Sequence, residues 1–314
     1  MNITDINNVM NIINITDIND ERVALYNVRS EGELKHALEP EPGYFVVESD
    51  KCIIRAIDAG YKVVSFFVEA EMMDRFAALF SALNDSSIAP AADFGLDSDI
   101  QSVSCESVNQ LPVYLASHDV IKSVTGYNLT GGILCLFRRR IDEPVGSLLD
   151  TCRRVVVLDD IENPTNLGSI FRSAAALNVD LILLTNDSTD PLYRRSNRVS
   201  MGTVFQIPWV MLPAHRKVFT ELDPDDSKAD YMGILHAHGF KTAAMALTSD
   251  SVDIDDPALN SEEKLAIIMG NEGHGLSDEI IRDTDYTVCI PMSHDVDSLN
   301  VAVASAIAFW QLCR

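Results

Sequence analysis

From residue 153 onward the chain alternates short apolar runs with helical patterns, and that alternation leaves few folds open to it. "RRVVVLDD" (153–160), "VDLILLT" (179–185), "TVFQIPWVM" (203–211), "KTAAMALT" (241–248), "KLAIIMG" (264–270) and "YTVCIPM" (286–292) read as strands. Between and after them stand helical patterns: "LGSIFRSAAALN", "DPLYRRSNRVS", "KADYMGILHAHG" ending at Gly239, "SDEIIRDT" with Ser277 as its cap, and "SLNVAVASAIAFWQLCR". The runs are apolar throughout rather than at every second residue, which is the mark of strands buried on both faces of a largely parallel sheet. The last helix is apolar on most faces, which calls for a core or a subunit interface around it.

A second, weaker alternation fills residues 21–140. "YFVVES", "YKVVSFFVE", "LPVYLAS" and "GGILCLFRR" read as strands, and "KCIIRAIDAG", "AEMMDRFAALFSAL" and "HDVIKSVTG" as helices, so a small α/β domain is expected there. Pro144 and Gly146 mark 141–152 as a linker. Residues 1–20 carry "NITDIN" twice, at 2–7 and 14–19, and read as a frayed tail or a short docking helix. The division is therefore a 1–20 extension, a 21–140 domain, a 141–152 linker and a 153–314 domain, which a chain of 314 residues accommodates.

The formal net charge is −23, an awkward balance for a partner of nucleic acid. The acid is concentrated, however, in 221–230 and 249–263, which read as surface loops. The arginines are clustered at Arg138–Arg140, Arg153–Arg154 and Arg194, Arg195 and Arg198, and a local field governs a site more than net charge does. Six scattered cysteines without a Cys-x-x-Cys pair suit free thiols in a reducing cytoplasm, and no apolar run approaches a membrane span. His236 and His238 are read as ordinary helix residues, so no metal is expected.

In such sheets ligands bind beyond the carboxyl ends of the strands, and three strand ends here carry unusual loops. The first, "ENPTNLGSIFRS", opens a helix on which Arg172 points away from Ile170, Phe171, Ala174 and Ala175. The second, "GNEGHGLS" (270–277), holds three glycines and the carboxylate of Glu272, yet it is neither G-x-G-x-x-G nor a P-loop. The third, "IPMSHDVDSLN" (290–300), ends with Ser298 as the expected cap of the last helix and Asn300 in its first turn, where an amide needs a partner.

Together and in this order the three loops resemble the motifs of the SpoU/TrmH family of RNA 2′-O-ribose methyltransferases, of the SPOUT class. Asn163, Pro164, Asn166, Gly168 and Arg172 fit the first motif, Gly270 to Leu276 the second, and Ile290-Pro291-Met292 with Ser298-Leu299-Asn300-Val301 the third. "RVSMGTVFQIP" (198–208) is similar to the family's segment between the first two. "VYLASHDVIKSVTGYNLTGGILCLF" gives 21–140 a weaker likeness to the ribosomal-protein-like domain that precedes many members. His294 and Asp295 stand where the family often has a glycine.

The resemblance implies a fold, a cofactor and roles. The fold is an α/β trefoil-knot methyltransferase domain preceded by a small α/β substrate-binding domain. S-adenosylmethionine would lie against Leu247, Thr248, Gly270, Asn271, Glu272, Gly273, Ile290, Met292, Ser298 and Leu299. Arg172, contributed across the dimer interface, would act on the ribose hydroxyl or clamp the neighbouring phosphate, supported by Asn166, Glu272, Ser298 and Asn300. RNA, rRNA more than tRNA, would meet Asn163, Arg194, Arg195, Arg198, Arg138 and Arg139. Members are homodimers, a role the apolar last helix suits, and no metal is required. The competing readings are a non-catalytic RNA-binding or ribosome-associated protein of the same fold and a nucleotide-dependent oxidoreductase. The missing glycine fingerprint disfavours the second.

Overall fold

A computed structural model describes residues 11–27, 30–76, 79–80, 111–126, 129, 131–140, 145–212, 231–294 and 296–313. The chain divides into two compact units, 1–141 and 142–314. The first copy of the repeat, the acid-rich 221–230 and the whole of 81–110 lie outside the described residues.

The first unit is built on a five-stranded mixed sheet. Its strands are β1 (Asn11–Asn14), β2 (Tyr44–Glu48), β3 (Val63–Glu69), β4 (Pro112–Ala116) and β5 (Ile133–Arg138), in the order β1-β4-β3-β5-β2. β1, β4 and β3 run parallel, while β5 is antiparallel to β3 and β2. The helices α1 (Glu31–Lys35), α2 (Asp50–Asp58) and α3 (His118–Thr125) complete the unit, and Gly126 at φ 75 ends α3. Ile15, Val23, Tyr26, Leu34, Phe67 and Leu134 share its core.

One expectation fails in this unit. Residues 11–20 are neither frayed nor helical: β1 pairs along β4, the Ile15 N–H donates to Leu115 O at 2.7 Å, and Ile15 is buried. The edge of β4 offered unpaired backbone groups, and Asn-Ile-Ile-Asn fills them. The segment from 70 is helical as expected, beginning as a 3₁₀ helix, Ala70–Phe76.

The second unit carries a seven-stranded, wholly parallel sheet. In chain order its strands are β6 (Arg154–Leu158), β7 (Leu181–Leu184), β8 (Trp209–Met211), β9 (Lys241–Met245), β10 (Val252–Asp253), β11 (Leu265–Met269) and β12 (Tyr286–Cys289). Across the sheet they stand as β10-β12-β9-β11-β6-β7-β8. The helices are α4 (Val145–Leu149), α5 (Pro164–Ala176), α6 (Arg194–Val199), α7 (Tyr231–Ala237), α8 (Pro257–Asn260), α9 (Asp278–Asp283) and α10 (Val301–Leu312). Val155, Val157, Ala266 and Ile268 form a core with Leu149, Met232, Leu235 and Ile280. The alternate residues Val156, Leu158 and Ile267, equally buried, point to the opposite face. α10 packs on α5 and β11 through the side that buries Ser305, Ala308, Phe309 and Leu312.

The 141–152 segment is no linker: from Val145 it is helical, and Leu149 and Cys152 are buried in this core. The strand expected over 203–211 is confined to Trp209–Met211, because Gly202 at φ 79 turns the chain into a 3₁₀ segment, Thr203–Phe205. The acid-rich 249–263 is not a plain loop, since it forms β10 and α8 and buries Ile254 and Leu259. Nor is Arg154 a free surface cation. Its guanidinium donates to Leu312 O at 2.6 Å, Glu263 O at 2.9 Å and Glu262 O at 3.1 Å, placing a positive charge where α10 ends.

His236 and Lys241 converge on Asp285, at 3.0 and 2.7 Å, and Thr242 donates to it from both its amide and its hydroxyl. Burial alone would raise the Asp285 carboxyl, but the bonds from Lys241, Thr242 and His236 outweigh it and hold it at about 2. A depressed carboxyl stabilises the fold above its unfolded-state value and loses that contribution as pH falls from about 4 through about 2. Asp285→Asn is expected to cost about 1 kcal/mol at pH 7 once solvent screening is allowed for. The gap between variant and parent in denaturant midpoint should shrink at pH 3; a gap that stays constant with pH would refute the assignment.

Candidate active site

Three loops meet at the carboxyl ends of β6 and β11 and the start of α10. β6 runs into Asp159 and Asp160, the latter at φ 58, and the chain turns to Asn163. Asn163 caps α5, its Oδ1 accepting from the Thr165 N–H at 2.8 Å, and Pro164 occupies the first helical position, where a missing N–H is harmless. β11 runs into Gly270, where a Cβ would lie 2.6 Å from the Gly275 carbonyl carbon and 2.7 Å from the Leu276 nitrogen. Only glycine lets this loop fold back on itself so closely.

The carboxylate of Glu272 bridges the first two loops. Its Oε1 accepts from Asn166 Nδ2 at 2.9 Å and from the Asn163 N–H at 3.3 Å, and Oε2 accepts from the Glu162 N–H at 3.4 Å. A negative charge thus sits on open amides at the start of α5, where the helix dipole favours it. The third loop joins through Asn300, whose Nδ2 donates to Asn166 Oδ1 at 3.1 Å. Asn166 is therefore fixed at both ends of its amide. Asn300, not Ser298, caps α10: its Oδ1 accepts from the Ala302 N–H at 3.0 Å. Asn300 does both with one amide, its oxygen accepting at the cap and its Nδ2 donating sideways.

Arg172 projects from α5 into solvent, and among the described residues it has no ion pair or hydrogen bond. Ala175, expected on the packed side, is exposed beside it. α5 lies so close to α6 that a Cβ at Gly168 would stand 2.7 Å from Ser196 O and 2.8 Å from Val199 Cβ. That approach brings Arg195 Nε to Thr165 Oγ1 at 2.9 Å, and Arg194 and Arg198 share its helix. Ser298 is exposed, and among the described residues it bonds only its neighbour Asp297, at 3.4 Å, with no hydrogen bond to the Glu272 network.

Arg138 and Arg139 are engaged within the first unit. Arg138 pairs with Glu41 at 2.6 Å and lies over the Tyr44 ring, while Arg139 donates to Tyr44 O at 3.2 Å and lies over Phe45. His236 and His238 each face a carboxylate, Asp285 and Asp150. No group of three metal-ligating side chains occurs among the described residues.

Five of the residues expected to hold S-adenosylmethionine keep backbone donors open, whereas Thr248 and Gly273 spend theirs on Ser251 and Asn271. Among the described residues none accepts from the backbone N–H groups of Leu247, Gly270, Ile290, Met292 or Leu299. Leu247 and Leu299 also expose large apolar side chains, at 62% and 38%. Open amides beside bare leucines suit a purine riboside, which offers acceptors along its edge and an apolar face. Asn271 is different, because both ends of its amide are used inside the protein. The sequence reading passed over Asp160 and Thr165. An Asp after a strand end was the available signal for the first, since Asp tolerates positive φ; nothing in the sequence marked the second.

A wholly parallel sheet whose strand-end loops are joined through Glu272, Asn166 and Asn300 defines an α/β protein with its candidate site where such sheets bind ligands. Residues 153–310 match the SpoU rRNA Methylase family, and the chain belongs to it. It is 36% identical over 231 residues to an uncharacterised tRNA/rRNA methyltransferase of Mycobacterium bovis, covering 73% of this chain and 76% of the relative. It is 29% identical over 201 residues to the 23S rRNA guanosine 2′-O-methyltransferase RlmP of Bacillus subtilis, covering 63% and 71%. Its fold is similar to that of an AdoMet-bound rRNA methyltransferase from Sinorhizobium meliloti, with a TM-score of 0.70, 24% identity and coverage of 96% and 97%. The chain is thus an RNA methyltransferase of the SpoU/TrmH group.

Proposed function

We propose that this protein transfers a methyl group from S-adenosylmethionine to a ribose 2′-hydroxyl of RNA, with rRNA favoured over tRNA. The observation that carries the reading is the chain Glu272–Asn166–Asn300, which locks three loops together, Asn166 lying on the same helix as the exposed Arg172. The ligand would be held by the open amides and leucines of 247, 270, 290, 292 and 299, with Thr248, Glu272, Gly273 and Ser298 around it. When bound it supplies a methyl group already activated by a sulfonium. The protein's task is then to align the hydroxyl, hold its phosphate and accommodate the charge that develops on oxygen.

Arg172 is suited to the last two. A guanidinium keeps its proton, so a bidentate clamp on the adjacent phosphate is favoured over direct proton removal, the hydroxyl proton passing to an oxygen of that phosphate as the ribose oxygen takes the methyl group. Arg195, fixed against the first turn of α5, with Arg194 and Arg198 on the same helix, offers RNA a basic path despite the net charge of −23. Asn163 would adjoin that path. The first unit would bind RNA as well, with Arg138 and Arg139 restricted by their own contacts.

Two further elements belong to the proposal. After β12 the chain must return across β9 and β11 to reach α10 on α5, an order that supports a trefoil knot. Val303 and Trp310, 50% and 57% exposed on the outer side of α10, support a homodimer. The experiment is methyl transfer from labelled S-adenosylmethionine to unmodified rRNA and tRNA, followed by nucleoside mass analysis. A 2′-O-methylnucleoside in rRNA is the expected product. A base-methylated product would overturn the reaction, and loss of ligand binding would leave a non-catalytic RNA-binding role.

A further inference from the structure

The turn after β6 is tied to the glycine loop by a side chain that the reading above leaves without a role. Asp160 holds a left-handed conformation, φ 58. Its N–H donates to Thr185 Oγ1 at 2.9 Å, and Thr185 is buried at the end of β7. On its other side Oδ2 accepts from Asn271 Nδ2 and from His274 Nε2, both at 3.2 Å, while its backbone oxygen accepts a second bond from Asn271 Nδ2 at 2.9 Å. Asn271 passes this anchorage on. Its Oδ1 accepts from the Gly273 N–H at 2.7 Å and from the His274 N–H at 3.3 Å, and its backbone oxygen accepts from the Gly275 N–H at 3.0 Å. Glu272 lies inside this closed loop, and its carboxylate reaches back to 162, 163 and 166. Two cross-links a few residues apart therefore join one turn to one loop, and only the Glu272 link was expected.

The geometry points to Asp160 as a positioning residue of the methyltransferase site, acting through Asn271 and His274 to hold the glycine loop in the shape that presents Glu272 and the Gly270 amide to S-adenosylmethionine. The inference rests on the function proposed above for what the loop binds, but not for what holds the loop. The acceptor, rather than the backbone twist, is the working part. Glycine would adopt φ 58 without strain yet offer no side-chain acceptor, whereas asparagine tolerates the twist and keeps one carbonyl oxygen.

Asp160→Gly, Asp160→Asn, Asn271→Ala and the double variant Asp160→Gly/Asn271→Ala separate these, made in the full chain. Two measurements apply: hydrogen exchange of the ligand-free peptide spanning 270–277, and equilibrium binding of S-adenosylmethionine by calorimetry. Asp160→Gly is expected to speed exchange at Gly273 about tenfold and weaken binding about tenfold. Asp160→Asn should stay within about threefold of the parent on both, and the double variant should be no worse than the poorer single one, as coupled partners require. Unchanged exchange in Asp160→Gly, or effects of the two single variants that multiply, would overturn the inference. Should the parent bind S-adenosylmethionine without methylating RNA, the proposed function fails while the exchange and binding comparison still decides the role of Asp160.

Discussion

Arg172→Ala is expected to lower methyl transfer by about 10²–10³-fold, equivalent to about 2.7–4 kcal/mol of transition-state stabilisation, while leaving the protein folded. The side chain is exposed and makes no bond among the described residues, so its removal breaks nothing in the resting structure. The melting temperature should change by less than about 2 °C, in line with other surface substitutions. Affinity for S-adenosylmethionine should hold within about twofold, because Arg172 is assigned to the RNA side of the site. Arg172→Lys should recover only a small part of the rate, since an ammonium lacks the planar fork that grips a phosphate through two bonds. Single-turnover methylation, ligand calorimetry and thermal unfolding of the three proteins together test this. A variant that methylates at the parental rate would remove Arg172 from the chemistry.

Glu272→Ala should damage both stability and activity. It strips an acceptor from Asn166 Nδ2 and from the amides of Asn163 and Glu162, and it removes a negative charge from the start of α5. Charge-assisted bonds at a half-open site and the lost dipole interaction together amount to about 1–2 kcal/mol, or roughly 3–6 °C in a unit of this size. Methyl transfer should fall about 10²-fold, as Asn166 loses its fixed orientation and the hold on Asn300 loosens with it. Glu272→Gln, which keeps an acceptor oxygen but no charge, should lie between the two. A protein with parental rate and an unchanged melting temperature would show that the carboxylate bridge does not organise the site.

The two units differ in how much of them could be read in advance. The uninterrupted apolar runs at 155–158, 181–184 and 265–269 announced a doubly covered parallel sheet, because such strands are apolar on both faces. The edges were harder. Asn-Ile-Ile-Asn at 11–14 has too little hydrophobic pattern to announce a strand, and it is one because β4 presents an open edge. Val145–Leu149 looked like a linker through Pro144 and Gly146, yet Leu149 and Cys152 are held by a core assembled from residues distant in sequence.

The sequence by itself determined the class of fold and the loops that carry the chemistry. Gly270 and Glu272 are residue types whose conformational or bonding capacity is local and legible in their loop, while Asn163, Gly168 and Asn300 stood out through the resemblance to the family's motifs. The tertiary structure alone decided what those groups are joined to. That Asn300 rather than Ser298 caps α10 follows from the sideways bond to Asn166, 134 residues away. That Arg154 is a structural cation while Arg172 is a bare one depends on whether carbonyl oxygens from distant segments surround it. The physical reason is common to these cases. A propensity or a cap is a property of a few neighbouring residues, whereas a hydrogen-bond partner or an ion's surroundings exists only once the sheet order has brought remote strand ends together.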